Sequence, residues 1–182
     1  MFIRTQRLFL RPLFAEDWRQ VYREIADAKV VRMLARAPWP YQASDARMFC
    51  ANSEKTPGLR FAITGPDLSG APLIGVIGLE PLNDTSHELG YWLGRRWHGR
   101  GHATEAVNGV LEIAKAIGIE RVDARHFLDN PASGAVLRKC GFVPTGEVVP
   151  VASAGRGGNL VLSRRYMREF DAQELAPMGA AA

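Results

Sequence analysis

Cysteine is scarce in this chain. Of 182 residues only Cys50 and Cys140 carry thiols, and they form neither a C-x-x-C pair nor a metal-ligand spacing. A disulfide framework and a thiolate metal centre are excluded, which leaves two buried, reduced thiols and a cytoplasmic location as the expectation. No apolar run approaches the roughly 20 residues that span a bilayer, so no membrane partner is expected. The opening Met1-Phe2-Ile3-Arg4 leads into a charged strand rather than an apolar core, so no secretory leader is read there. Long basic runs are also missing. The 23 Lys and Arg residues are interleaved with 19 acids, and a net charge of +4 without a basic tract argues against nucleic acid. Repeats and linkers are absent as well, so residues 1–170 are read as one domain. Residues 171–182 form a C-terminal tail, disordered over 176–182.

What is present concentrates in Arg96-Trp97-His98-Gly99-Arg100-Gly101-His102-Ala103. This stretch follows the strand-like Glu88-Leu89-Gly90-Tyr91-Trp92-Leu93 and opens a helix with apolar residues at helical spacing from Ala103 to Ile117. Two glycines let backbone N–H groups converge, and a helix N-terminus adds its dipole, so the segment suits phosphate oxygens. Arg96 and Arg100 are read as mobile positive charge beside it. Three designs compete. A dinucleotide fingerprint finds Gly99-x-Gly101 and Glu120 at about the ribose-binding spacing, but Thr104 stands in the third glycine position. A P-loop finds Gly94 to Gly99, but Arg100-Gly101 replaces the Lys-Ser/Thr that would reach phosphate and magnesium. The third is the pyrophosphate loop Q/R-x-x-G-x-G/A, which Arg96, Gly99 and Gly101 match in full.

That third pattern belongs to the GNAT superfamily of N-acetyltransferases, and other motifs resemble it too. Asn130-Pro131-Ala132-Ser133 through Lys139-Cys140-Gly141-Phe142 resembles its N-x-x-S-x-x-V/L-x-x-K-x-G-F segment. Thr5-Gln6-Arg7-Leu8-Phe9-Leu10-Arg11-Pro12 is similar to the T-x-R-L-x-L-R-P strand of the RimJ/RimL-like branch, and Glu88 to Leu93 to its E-x-G-Y-W-L pattern. The motifs stand in family order from about residue 3 to residue 166.

Periodicity predicts a strand around Leu8 and Leu10, a helix over Ala15–Ala26 and a short one over Val30–Leu34. A helix from the N-cap Ser44 to about Glu54 follows, then strands at Leu59–Thr64, Leu73–Leu79 and His87–Leu93. Beyond the loop helix come a strand at Arg121–Phe127, a helix at Pro131–Lys139 and strands at Phe142–Val149 and Asn159–Tyr166. This order predicts an α+β fold with a mixed sheet, and the resemblance implies the acyl-CoA N-acyltransferase fold of about seven strands flanked by helices. In that fold the strand before the phosphate loop and the one after its helix splay apart, and the pantetheine arm lies between them.

The resemblance implies acetyl-CoA as co-substrate, a primary amine as acceptor, no metal, and allows a homodimer. The grip on coenzyme A falls to His98, Gly99, Arg100, Gly101, His102 and Ala103, with Arg96 and a Thr104 hydroxyl beside them. Backbone of Tyr91, Trp92 and Leu93 pairs with pantetheine amides, and one N–H polarises the thioester carbonyl. Asn130, Ser133 and Lys139 complete the cofactor set. For catalysis Ser133 is the candidate proton donor to the departing thiolate, in the first turn of a helix capped by Asn130, itself a catalytic candidate, with Pro131 at N1. Glu88 is the candidate base and Glu80 its reserve, while His87 points to the opposite strand face. An α-amine with pKa ~7.8 suits so lightly equipped a site better than a lysine near ~10.4, which costs about 4 kcal/mol to deprotonate at pH 7.4. The expected acceptor is therefore a protein or peptide N-terminus. A small-molecule amine and a non-catalytic acyl-CoA-binding role are the alternatives, the latter separated by thioester consumption. The segments around Ala28–Tyr41 and Val151–Asn159 are expected to choose the acceptor.

Overall fold

A computed structural model describes residues 1–53 and 55–175. Its elements run β1 (Ile3–Arg4), β2 (Phe9–Pro12), α1 (Trp18–Ile25), α2 (Ala28–Val31), α3 (Ala43–Ala51), β3 (Leu59–Thr64), β4 (Leu73–Pro81) and β5 (Ser86–Leu93). There follow α4 (His102–Ala116), β6 (Arg121–Phe127), α5 (Pro131–Lys139), β7 (Val143–Ala152) and β8 (Leu160–Glu169), with short 3₁₀ turns at Ala15–Asp17, Arg95–Trp97 and Ala154–Arg156. All strands join one mixed sheet of order β1-β2-β3-β4-β5-β6-β8-β7.

The sheet has eight strands where about seven were expected, because two residues, Ile3 and Arg4, pair with Leu10 and Phe9. The third helix begins earlier than the Ser44 cap predicted. Its N-cap is Gln42, whose N–H donates to Asp45 Oδ2 at 2.7 Å, so the acid in the first turn sets the start. That helix ends at Ala51, and its expected end at Glu54 falls on a residue outside those described, as do tail residues 176–182. Residues 171–175 turn back, and Leu175 packs on the core.

Alternation in the central strands divides the core into two clusters. On one face α4 buries Ala106, Val107, Val110, Leu111 and Ala114 against Ile77, Leu79, Leu89 and Val122. On the other, α1 to α3 bury Val21, Ile25, Val31 and Cys50 against Ala62, Leu73 and Val76. Both thiols are buried, and burial pushes Cys140 up to about 11 and Cys50 up to about 12.

One seam is decisive. β5 and β6 are parallel and pair only from Ser86↔Arg121 to Leu89↔Ala124. Beyond Leu89 the two strands part, while β5 remains paired to β4 as far as Leu93↔Gly75. Backbone groups of Gly90 to Leu93 on the β6 side therefore border a gap, the geometry expected for a pantetheine arm.

Candidate active site

A cleft of about 860 Å³ runs through this gap, from the glycine loop at one end to Glu80 and Glu88 at the other. Its wall includes Tyr91, Trp92, Leu93, His98, Gly99, Gly101, His102, Ala103, Thr104, Asn130, Ser133 and Lys139. Of the residues expected to serve the site, only Arg96 and Arg100 lie outside that wall.

The loop conforms to an anion cradle. Gly99 and Gly101 adopt left-handed φ of +73° and +80°, and nothing stands within 4 Å of where a Cβ on Gly99 would be. Among the described residues, the N–H groups of Gly99, Arg100 and Gly101 and of the first turn of α4 meet no acceptor outside their own turns. From below, the loop is held rigidly. Arg7 Nη1 donates to the Arg100 carbonyl at 3.0 Å, and Arg7 Nε donates to Glu105 Oε2 at 2.7 Å. Burial pushes the Glu105 carboxyl up, but hydrogen bonds from Thr5 and Arg7 outweigh it and leave it below its ordinary range.

Arg96 departs from the expectation of mobile charge. Its guanidinium grips the buried carboxylate of Glu24 on α1, which also accepts from Trp97 Nε1 at 3.0 Å. A Cβ on the intervening Gly94 would stand 2.2 Å from Glu24 Oε2, so glycine is what allows this approach. Glu24 was not anticipated, because a lone acid in the last turn of a helix gives no sign that it will meet a turn 72 residues away. Arg100 sits with its guanidinium 5.8 Å from the Trp97 ring. The histidines differ. His98 is exposed, with Nε2 2.9 Å from the Leu93 carbonyl. His102 is buried with Nδ1 unpartnered, and burial, then Arg7, lower its pKa, so the imidazole is neutral at the loop's helix start.

At the centre of the cleft, Tyr91 Oη lies 2.9 Å from Ser133 Oγ and 3.4 Å from the Ser133 carbonyl. Asn130 caps α5, its Oδ1 accepting the Ser133 N–H at 3.4 Å. The sequence reading credited Tyr91 with backbone contacts alone. Its signal was strand alternation, which sets Tyr91 with Leu89 and Leu93 on the face that α4 and α5 cover. Burial pushes the phenol up to about 12 against the opposing effect of the Ser133 hydrogen bond, so it stays protonated at neutral pH. Trp92 faces the other way, onto the α1–α3 cluster, and Trp97 is buried in the core.

The acidic end also differs from expectation. Glu88 is not a free carboxylate: Arg125 Nε and Nη2 reach its two oxygens at 2.8 and 3.1 Å, and Arg36 Nη2 stands 3.9 Å away. Glu80, its cross-strand partner on β4, accepts from Arg36 at 2.6 Å and Arg60 at 3.4 Å. Burial raises the Glu80 carboxyl, but the two guanidinium groups more than offset that and hold it low. His87 lies on the opposite strand face from Glu88, with Nδ1 buried and unpartnered.

Residues 7–143 match the family model of the acetyltransferase (GNAT) domain. The chain belongs to the GNAT acetyltransferase family. It is 30% identical over 150 residues to an uncharacterised N-acetyltransferase, YoaA, of Bacillus subtilis, covering 79% of this chain and 84% of that protein. A GNAT-family acetyltransferase from Bacillus anthracis shares the fold with a TM-score of 0.80 at 21% identity, covering 93% of this chain and 98% of the other. RimL, a ribosomal L7/L12 α-N-protein acetyltransferase solved in complex with coenzyme A, does so with a TM-score of 0.76 at 18% identity, covering 94% and 99%. No helix among the described residues is long and apolar enough to cross a membrane.

Proposed function

We propose that this chain transfers the acetyl group of acetyl-CoA to the α-amine of a protein or peptide by direct attack in a ternary complex, as a RimJ/RimL-like N-acetyltransferase. The observation that carries the reading is the Tyr91–Ser133 hydroxyl pair, set in the β5–β6 gap between an anion cradle and a carboxylate pair. Coenzyme A fits the groups that border the gap. Its pyrophosphate meets the unspent N–H groups from Gly99 into α4. Its pantetheine amides extend the β6-side backbone of Gly90 to Leu93 as an added strand would.

The acceptor nitrogen attacks the thioester carbonyl, whose oxygen a β5 N–H polarises, and the C–S bond breaks as the C–N bond forms. Tyr91, neutral and buried, supplies the proton to the departing sulfur, with Ser133 relaying it back from solvent. Glu88 orients the amine and accepts its proton through water. Its carboxylate is already engaged by Arg125, and that suits an α-amine already largely neutral at pH 7.4.

A screen of acetyl-CoA against peptides of varied first residue and against small amines, followed by thiol release, tests this. Peptide N-termini should be acetylated best. Turnover of small amines alone would overturn the acceptor, and absence of any thioester consumption would overturn the reaction.

A further inference from the structure

Arg156, in the 3₁₀ turn between β7 and β8, lies far along the chain from every residue assigned to the reaction, yet its side chain is 16% exposed and fully engaged. Nη1 and Nη2 bond the two carboxylate oxygens of Asp129 at 2.8 and 2.9 Å. Nε donates to the Arg32 carbonyl at 2.8 Å, and the guanidinium lies 5.0 Å over the Phe127 ring. Asp129 directly precedes Asn130, the cap of α5. Arg32 opens the irregular segment 32–37 after α2, whose Met33, Leu34, Ala35 and Arg36 form the cleft wall beside Glu80 and Glu88.

The same turn holds that segment at successive residues. Ala154 N–H donates to the Ala35 carbonyl at 2.8 Å, and the buried Ser153 hydroxyl donates to the Leu34 carbonyl at 3.2 Å. With Arg32 included, three carbonyls in a stretch of four residues are tied to Ser153, Ala154 and Arg156. The wall has no helix or strand of its own: Leu34 and Ala37 pack on the α1–α3 cluster and Arg36 bonds Glu80, while the carbonyls of Arg32, Leu34 and Ala35 are fixed by the β7–β8 turn. The cofactor loop is held separately, by Glu24, Arg7 and Glu105.

We propose that Arg156 is a positioning residue for the amine acceptor: it fixes the 32–37 wall against the N-terminus of α5, and so sets the distance from acceptor to the Tyr91–Ser133 pair. This rests on the reading that the acceptor enters at the Glu80–Glu88 end. Only a planar fork can bond a carboxylate at two points while a third N–H reaches a carbonyl, so lysine is no substitute.

The test compares Arg156→Ala, Arg156→Lys and Asp129→Asn by kinetics and by hydrogen exchange. Each variant should raise the acceptor KM about tenfold or more, since small misplacements are costly in a positioned reaction, and leave the acetyl-CoA KM unchanged. Exchange at amides of residues 32–37 should quicken, while that in the α4 core stays as it was. The exchange readout needs no acceptor, so it stands even where the acceptor class is wrong. Equal rises in both KM values, unaltered exchange over 32–37, or full rescue by lysine would overturn the proposal. Should Arg156→Ala not fold, Asp129→Asn keeps the Phe127 contact and carries the same outcomes.

Discussion

Tyr91 and Ser133 are separated by 42 residues, yet their hydroxyl oxygens are 2.9 Å apart across the gap that β5 and β6 leave open. Neither position alone supplies a strong acid. Together they place a proton, held on a buried phenol, at the point where two structural halves of the site meet.

Tyr91→Phe should therefore lower kcat by about 10²-fold or more with little change in acetyl-CoA affinity, as loss of general acid assistance does. Ser133→Ala should lower kcat less, and the double variant should fall short of the product of the two, because the hydroxyls act as a unit. With the phenol at about 12, the native enzyme's kcat should show no basic limb below pH 10 from this group. Stopped-flow or steady-state thiol release over pH 6–10 checks all three.

Glu24 governs a different quantity. Glu24→Gln keeps the shape but removes the charge that Arg96 grips, and leaves a buried amide beside Trp97 Nε1. Arg96 is 57% exposed, so solvent screens the pair and its loss costs less than the about 3–5 kcal/mol of a fully buried one. A lower melting temperature and a raised acetyl-CoA KM should appear together, with the acceptor KM held, by thermal scanning and initial rates.

Glu88→Gln should slow turnover most at the acidic end of the profile, and more for a lysine-type acceptor than for an α-amine. Glu80→Gln should change the profile little, because Arg36 and Arg60 already hold that carboxyl low. A reversed order between the two would move proton acceptance one strand over. Paired pH–rate profiles on both acceptors decide it.

Acid should loosen the base of the cofactor loop. Glu105 is held below its ordinary value in the fold, so the stability it contributes is fully present above the unfolded carboxylate value of ~4.3 and is lost as pH falls through the lower folded value. Urea midpoints measured from pH 7 down to pH 3 should fall less steeply in Glu105→Gln than in the native chain.

The parts legible in sequence were those carried by local patterning. Strand alternation and helical spacing gave β3, β6 and α5 to the residue, because turn residues and Pro131 bound them. Gly99 and Gly101 announced the loop because only a left-handed backbone needs them there. Other features depend on pairs of residues remote in sequence. That Arg96 would be taken by Glu24, Glu88 by Arg125, and Tyr91 by Ser133 follows from how sheet and helices are stacked, which no spacing within a motif encodes. The short β1 escaped for the opposite reason, since two residues are too few to show a period.

Among the described residues, the four paired positions from Ser86 to Leu89 are the sole strand-to-strand join between β1–β5 and β6–β8. The sheet is thus a two-leaved object whose spine lies in its middle and not at a rim. The opening between the leaves begins where pairing stops, at Leu89 and Ala124. A substitution that alters packing under that spine would resize the aperture from one end to the other without touching a single residue that meets the ligand.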